Sequence, residues 1–234
     1  MPPKIRIDGV YDVSTFTHLS NMEVENFLFD CRPLSYQFIQ QHCLNELIKD
    51  NQRPFQNYYL KFSDEKDFVV RKLLNDLNET ISNGPQEKKS VILEFSGDEQ
   101  SRYMDSFKTP YFKEINQQTY LRPYMSSLFL QGFVFPFSFF SELKENGGLE
   151  SFKEQFDDEI KLAQIIQAPK LILKIEWDDD IFGSLFDLFD FDAVSFPINA
   201  NVESAYRQVN LEKTEQEIRF FIDNGLVGRV NKHF

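Results

Sequence analysis

The sequence predicts an α/β fold, a single-domain (β/α)8 barrel, with a doubly wound open sheet as the alternative. Three observations point there. Eight short apolar runs alternate with segments of helical periodicity along the 234 residues. Most of these runs are apolar on both faces, as strands of a parallel sheet covered by helices must be. No Gly-x-Gly-x-x-Gly or Gly-x-x-x-x-Gly-Lys loop follows any of them, which argues against an open nucleotide-binding sheet.

Lys4–Ile7 is the first strand, and Asp12 is placed to cap a short helix through Val13, Phe16 and Leu19. Asn26–Asp30 is the second strand, followed by Ile39, Cys43, Leu44, Leu47 and Ile48 at helical spacing. Asn57–Phe62 is the third. Phe68, Val69, Leu73, Leu74, Leu77 and Ile81 then line a helix that Asn83-Gly84-Pro85 breaks. Ser90–Phe95 is the fourth strand, with a helix expected between Asp98 and Phe107. The pattern is irregular around strands five and six, read as Thr119–Tyr124 and Gly132–Phe135. Phe152, Phe156, Ile160, Ala163 and Ile166 stripe a helix over Leu149–Gln167. Lys170–Ile175, a helix over Asp180–Phe189 and Asp192–Phe196 complete the barrel. A capping box, Thr214-x-x-Glu217, opens the last helix, with Ile218, Phe221 and Ile222 behind it and Gly225 as its stop.

Composition narrows the function classes. Lys and Arg number 25 against 37 Asp and Glu, a formal charge of −12. A duplex nucleic-acid binder would need the opposite footprint, so no nucleic-acid partner is expected. The 26 phenylalanines imply a large aromatic core. Cys31 and Cys43 are too few for a disulfide framework and lack metal-ligand spacing. The opening Met1–Asp8 segment lacks a secretory apolar core. Leu128–Phe140 is too short to span a membrane and contains Gly132 and Pro136. The expectation is a cytoplasmic protein with no membrane partner and no cofactor, binding a small molecule or another protein.

In a barrel of this kind the chemistry sits at the C-terminal strand ends. Those positions are Asp8, Asp30 to Arg32, Ser63 and Asp64, Glu94 and Ser96, Arg122, Lys174 and Glu176, and Asn199 to Asn201. Asp8 follows a buried strand and precedes Gly9, so it is either a general base or a cap of the turn before the first helix. Lys174 and Arg122 either bind an anion or neutralise Glu94 and Glu176. Cys31 has no histidine partner in an evident motif, and His18, His42 and His233 support no nucleophilic triad. Asp178-Asp179-Asp180 reads as the charged start of a helix rather than a cation site, and no metal is expected.

Several segments, taken in order, resemble the phosphoribosylanthranilate isomerase family of (β/α)8 enzymes. Its opening Lys-Ile-Cys-Gly-Ile strand is matched by Arg6-Ile7-Asp8-Gly9-Val10. Its second strand and Pro-x-Ser-x-Arg-Tyr-Ile loop are echoed by Asn26-Phe27-Leu28-Phe29 and Pro33-Leu34-Ser35-Tyr36-Gln37-Phe38-Ile39. Leu-His-Gly-Glu-Glu is similar to Glu94-Phe95-Ser96-Gly97-Asp98-Glu99. Leu171-Ile172-Leu173, Asn199-Ala200-Asn201-Val202-Glu203 and Lys213–Asp223 stand where its seventh strand, eighth-strand loop and last helix fall. The resemblance covers most of the chain outside residues 108 to 170.

The functional positions depart from that pattern. Asp8 replaces the family's basic Cys, although related sugar-phosphate isomerases use an Asp there. No carboxylate ends the sixth strand, where Phe133 and Phe135 suggest an aromatic plug. Gln37 replaces the loop Arg, Ile175 and Glu176 replace the phosphate-binding Gly-Gly, and Asn201 replaces a further Gly. The expectation is therefore a divergent barrel of this type that lacks the parent isomerisation and binds another ligand or partner. The alternative is an active aldose–ketose isomerase with Asp8 as base and Glu94 or Glu176 as acid. Arg32, Arg122, Lys174, Asn199 and Asn201 would then bind the ligand.

Overall fold

The computed structural model describes residues 3–51, 53–82, 90–116, 119, 121–163 and 168–224. Eight parallel strands close into a barrel in chain order, β1 (Lys4–Asp8) pairing with β8 (Ala193–Pro197) to complete it. Between them run β2 (Asn26–Asp30), β3 (Asn57–Phe62), β4 (Ser90–Phe95), β5 (Tyr111–Glu114), β6 (Leu130–Pro136) and β7 (Lys170–Lys174). The helices are α1 (Val13–Asn21), α2 (Gln41–Asn51), α3 (Asp67–Ser82), α4 (Ser101–Asp105), α5 (Arg122–Met125), α6 (Phe137–Glu145), α7 (Leu149–Leu162), α8 (Ser184–Leu188) and α9 (Leu211–Asn224). A small antiparallel hairpin, β9 (Glu203–Ala205) and β10 (Gln208–Val209), follows β8. Among the described residues no helix is long and apolar enough to cross a membrane.

The period-two alternation of each strand sorts its side chains into two cores. Outward-facing Ile7, Phe27, Phe29, Leu60, Phe95, Phe133, Phe135 and Phe196 pack against helix residues such as Phe16, Leu47, Leu77 and Phe156. The phenylalanine excess is concentrated here: Phe135 lies within 6.1 Å, centroid to centroid, of Phe139, Phe140, Phe152 and Phe156. Inward-facing Leu28, Tyr59, Phe112, Val134, Ile172 and Ala193 form a much smaller cluster inside the barrel. Phe133 and Phe135 therefore do not plug the mouth, contrary to the sequence expectation. They sit on the opposite face of β6, under the helices.

Strand five is not Thr119–Tyr124. It is Tyr111–Glu114, while Arg122–Met125 forms the short turn α5. Two of its four residues are charged, which reads as loop in sequence, yet Lys113 is buried because its ammonium is satisfied by Gly97 O and Glu99. α6 follows β6 directly and turns into α7 through Gly147, whose φ of +67° suits glycine. There Gly147 N–H donates to Lys144 O and Gly148 N–H to Leu143 O.

The last helix starts three residues before the expected capping box. Asn210 caps it by accepting from Lys213 N–H at 3.0 Å, and Thr214 turns its hydroxyl back to Asn210 O. α8 begins at Ser184 rather than Asp180, leaving Asp178–Asp180 in a loop. The expected breaks at Asn83-Gly84-Pro85 and Gly225, the helix positions Ile166 and Gln167, and His233 lie outside the described residues.

Candidate functional site at the barrel mouth

The inward positions above the small apolar cluster are ionic. Arg6 and Asp8 share the inner face of β1 because they are two residues apart, and the same parity puts Lys61, Glu94, Glu114 and Lys174 inside on β3, β4, β5 and β7. The Arg6 guanidinium is fully buried. It donates from Nη1 to Glu94 Oε2 at 2.6 Å, from Nη2 to Asp8 Oδ2 at 3.0 Å and from Nε to Ser195 Oγ at 3.1 Å. Its plane stands 5.0 Å from the centre of the Tyr59 ring. Lys61 lies 3.2 Å from the other Glu94 oxygen and bonds Glu114, which in turn lies 3.6 Å from Lys174. The chain Asp8–Arg6–Glu94–Lys61–Glu114–Lys174 thus alternates in sign, with three anions against three cations and no net charge.

Such burial is tolerated only because each ion has an opposite neighbour. Burial opposes the charge on Arg6, but Asp8 and Glu94 outweigh it and hold the guanidinium pKa above its ordinary value. Burial likewise opposes the charge of Lys61, and Glu114 and Glu94 raise its pKa in spite of it. For Glu114, burial pushes the carboxyl up, yet Lys61 and Lys174 prevail and bring it down to about 2. Tyr59, pushed by burial against the opposing pull of Arg6, stands at about 12.

A pH dependence follows. The Glu114 pKa is depressed from 4.5 to about 2, so its contribution to stability is fully present above pH 4.5. It is lost as pH falls through that window. Lys61 is raised above 10.5, so its contribution holds at lower pH and disappears only as the solution turns more basic than the folded pKa. Urea unfolding of the wild type and Glu114→Gln should therefore differ most near neutrality and converge as pH falls from 4.5 toward 2. A stability gap that is constant over that range would contradict the assignment.

Beside this chain, Arg32 folds back on Asp30 through Nε–Oδ1 and Nη2–Oδ2 contacts of 2.9 and 2.6 Å, and reaches Ser96 Oγ at 3.2 Å. Burial disfavours the Asp30 carboxylate, but hydrogen bonds from Arg32 and Ser35 lower its pKa below the ordinary value. Gln37 packs over Gly9, which has a φ of +80°, and its amide donates to Ile198 O. Asn199 donates to Glu176 Oε2 at 2.5 Å and Asn201 to Asp178 Oδ1 at 3.3 Å, tying the β8 loop to the β7 loop. Trp177 closes the same corner, buried against Phe196 with its indole N–H on Pro197 O.

Solved structures share this arrangement of strands. The phosphoribosyl anthranilate isomerase of Thermotoga maritima superposes with a TM-score of 0.63 at 12% identity, covering 95% of this chain and 98% of that one. The Thermus thermophilus enzyme gives 0.62 at 11% identity, with 94% and 99% covered. The fold is that of the phosphoribosyl anthranilate isomerases. An HpcH/HpaI aldolase from Desulfitobacterium hafniense is also similar, with a TM-score of 0.59 at 9% identity and coverages of 93% and 92%. No protein-family model matches the sequence, and no curated protein matches it.

Of the residues expected at the mouth of such a barrel, Asp8, Arg32 and Lys174 are there, but each is paired: Asp8 with Arg6, Arg32 with Asp30 and Lys174 with Glu114. Glu94 is fully buried between Arg6 and Lys61 and does not face the opening. Glu176, Asn199 and Asn201 lie on the rim and bond one another's loops. Arg122 is not a mouth residue: with β5 ending at Glu114, it falls on the exposed turn α5. The inward positions at the end of β6 are Gly132, Val134 and Pro136, so no carboxylate stands there. Cys31 is buried, and burial pushes its thiol well above the ordinary range. Sequence reasoning missed Arg6, Lys61 and Glu114. Parity with Asp8 and Tyr59 would have pointed to the first two, whereas Glu114 required the correct fifth strand. Among the described residues no group of three His, Cys, Asp or Glu is arranged to hold a metal ion.

Proposed function

We propose that this barrel does not carry out the phosphoribosylanthranilate isomerisation and instead binds a different small ligand or a protein partner. The observation that carries this reading is the commitment of Asp8. A general base must come within hydrogen-bond reach of the proton it removes. Asp8 is 3% exposed, and its two oxygens lie 2.8 and 3.0 Å from the Arg6 guanidinium. The partnering of Glu94 and Glu114 supports the same reading, since each is neutralised by Arg6, Lys61 or Lys174. Glu176 adds negative charge where the resemblance would place a phosphate.

The alternative, an aldose–ketose isomerase with Asp8 as base, requires Asp8 to leave Arg6 and meet substrate. It also requires an acid from a set of carboxylates that already have partners. Complementation separates the two. A strain lacking phosphoribosylanthranilate isomerase and expressing this chain should fail to grow without tryptophan. Restored growth would overturn the reading, and loss of that growth in Asp8→Asn would favour the alternative.

A further inference from the structure

A half-open cavity lies on the flank of the barrel, where the β5–α5 connection meets the α6–α7 hairpin. It encloses about 410 Å3, within the range of small-molecule sites. Ile115, Leu121, Phe139, Leu143 and Phe152 give it an apolar body. Phe139 and Phe152 meet edge to face with centroids 5.0 Å apart, and both rings are only half-buried. Two carboxylates, Glu142 and Glu159, three amide side chains and the Thr119 hydroxyl supply the polar lining. Among the described residues no lysine or arginine lines it.

We propose that this pocket binds a small organic cation, a primary ammonium carried on an aromatic or branched apolar body. Two independent observations converge on that class. Glu159 Oε2 is shut off from solvent and, among the described residues, has no hydrogen-bond donor. A buried acceptor without a donor is costly to leave unmade, and an ammonium supplies three donors and the opposite charge. The nearby lysines on these helices are committed elsewhere: Lys144 stands 4.0 Å over the Phe182 ring, Lys153 pairs with Asp157 and Lys161 with Asp158. The charge of the pocket is therefore not neutralised by its own helices. The exposed faces of Phe139 and Phe152 accept an aromatic body and add cation–π attraction for its charged end. An anionic ligand would meet two carboxylates and no cation. The site lies outside the barrel mouth, so it does not depend on whether the mouth is catalytic.

Isothermal titration of the full chain with three probes of similar size tests this directly: 2-phenylethylammonium, 2-phenylethanol and 3-phenylpropionate. The ammonium should bind about tenfold or more tighter than the alcohol, as a charge-assisted hydrogen bond implies. The propionate should give no binding heat. Glu159→Gln should bring the ammonium down to the level of the alcohol while leaving the thermal melt cooperative. Leu143→Trp, which fills the cavity, should weaken both probes. Glu154→Gln, an exposed α7 position outside the pocket, should leave all three unchanged. Equal affinity for ammonium and alcohol, or an ammonium preference that survives in Glu159→Gln, would overturn the proposal. So would an equal loss in Glu154→Gln, which would trace the binding to the overall charge of the chain. No heat from any probe at millimolar concentration would overturn it as well.

Discussion

Replacing Arg6 by methionine should cost about 3–5 kcal/mol, the usual penalty for stripping one partner from a buried ion pair. The methionine fills much of the same volume, so the loss comes from charge. Asp8 would be left in the barrel interior without its cation, and Glu94 would keep only Lys61. Native domains are stable by roughly 5–15 kcal/mol, so a change of this size removes a large fraction of the total. The companion variant tests the cause. Removing these buried ions together, by Arg6→Met with Asp8→Leu and Glu94→Met, leaves Glu114 shared between Lys61 and the partly exposed Lys174, with no buried carboxylate stranded. It should recover most of the lost stability, because apolar groups of similar size replace buried ion networks at little cost. Urea unfolding of the single and triple variants reads both numbers. A single-variant loss below about 1 kcal/mol would mean that the network is solvated and weak, as surface pairs are.

Gly132→Ala should be the most damaging conservative change in the sheet. Gly132 lies on β6 opposite Lys170 of β7, and a methyl group there would stand 1.9 Å from the Lys170 carbonyl oxygen. The obstacle is backbone in a paired strand, so no side-chain rotation relieves it and the two strands must separate. The cost should reach or exceed the upper end of the ~1–3 kcal/mol typical of overpacking. Gly183→Ala is the control, since its added methyl meets nothing within 4 Å. It should change stability by no more than about 0.5 kcal/mol, as an ordinary surface substitution does. Equal melts for the two variants would show that β6 and β7 are not held at this spacing.

The parts of the fold that were legible in sequence were those with a clean physical signal. Asn26–Asp30, Asn57–Phe62 and Ser90–Phe95 have the bounds expected of them, because the apolar face of each, carrying Phe27 and Phe29, Leu60 and Phe62, or Leu93 and Phe95, leaves one buried register under the helices. The fifth strand was not legible. Tyr111-Phe112-Lys113-Glu114 buries two charges whose partners, Glu99 and Gly97 for Lys113 and Lys61 for Glu114, are distant in sequence. No local propensity encodes a partner that the fold brings together. The same failure placed Arg122 at the mouth and left Glu114 out of it. The phenylalanines of β6 were misassigned for a different reason. Their abundance was evident, but which face they take depends on the parity of the strand, and that parity turns Phe133 and Phe135 toward the helices.

Asp8 and Lys174 end β1 and β7 and Arg32 follows β2, yet whether such side chains are free or paired is not readable in sequence. A carboxylate at the end of a first barrel strand looks the same in sequence whether it is free or held by an arginine two residues earlier. The geometry makes that distinction. The account turns on Asp8 being held by Arg6, inside a mouth whose charges cancel. The most direct test is turnover of phosphoribosylanthranilate by the purified chain, alongside Asp8→Asn, with thermal melts in the presence of substrate. The account predicts a rate no different from buffer and no rise in the wild-type melting temperature. Turnover by the wild type that vanishes in a cooperatively melting Asp8→Asn variant would contradict it.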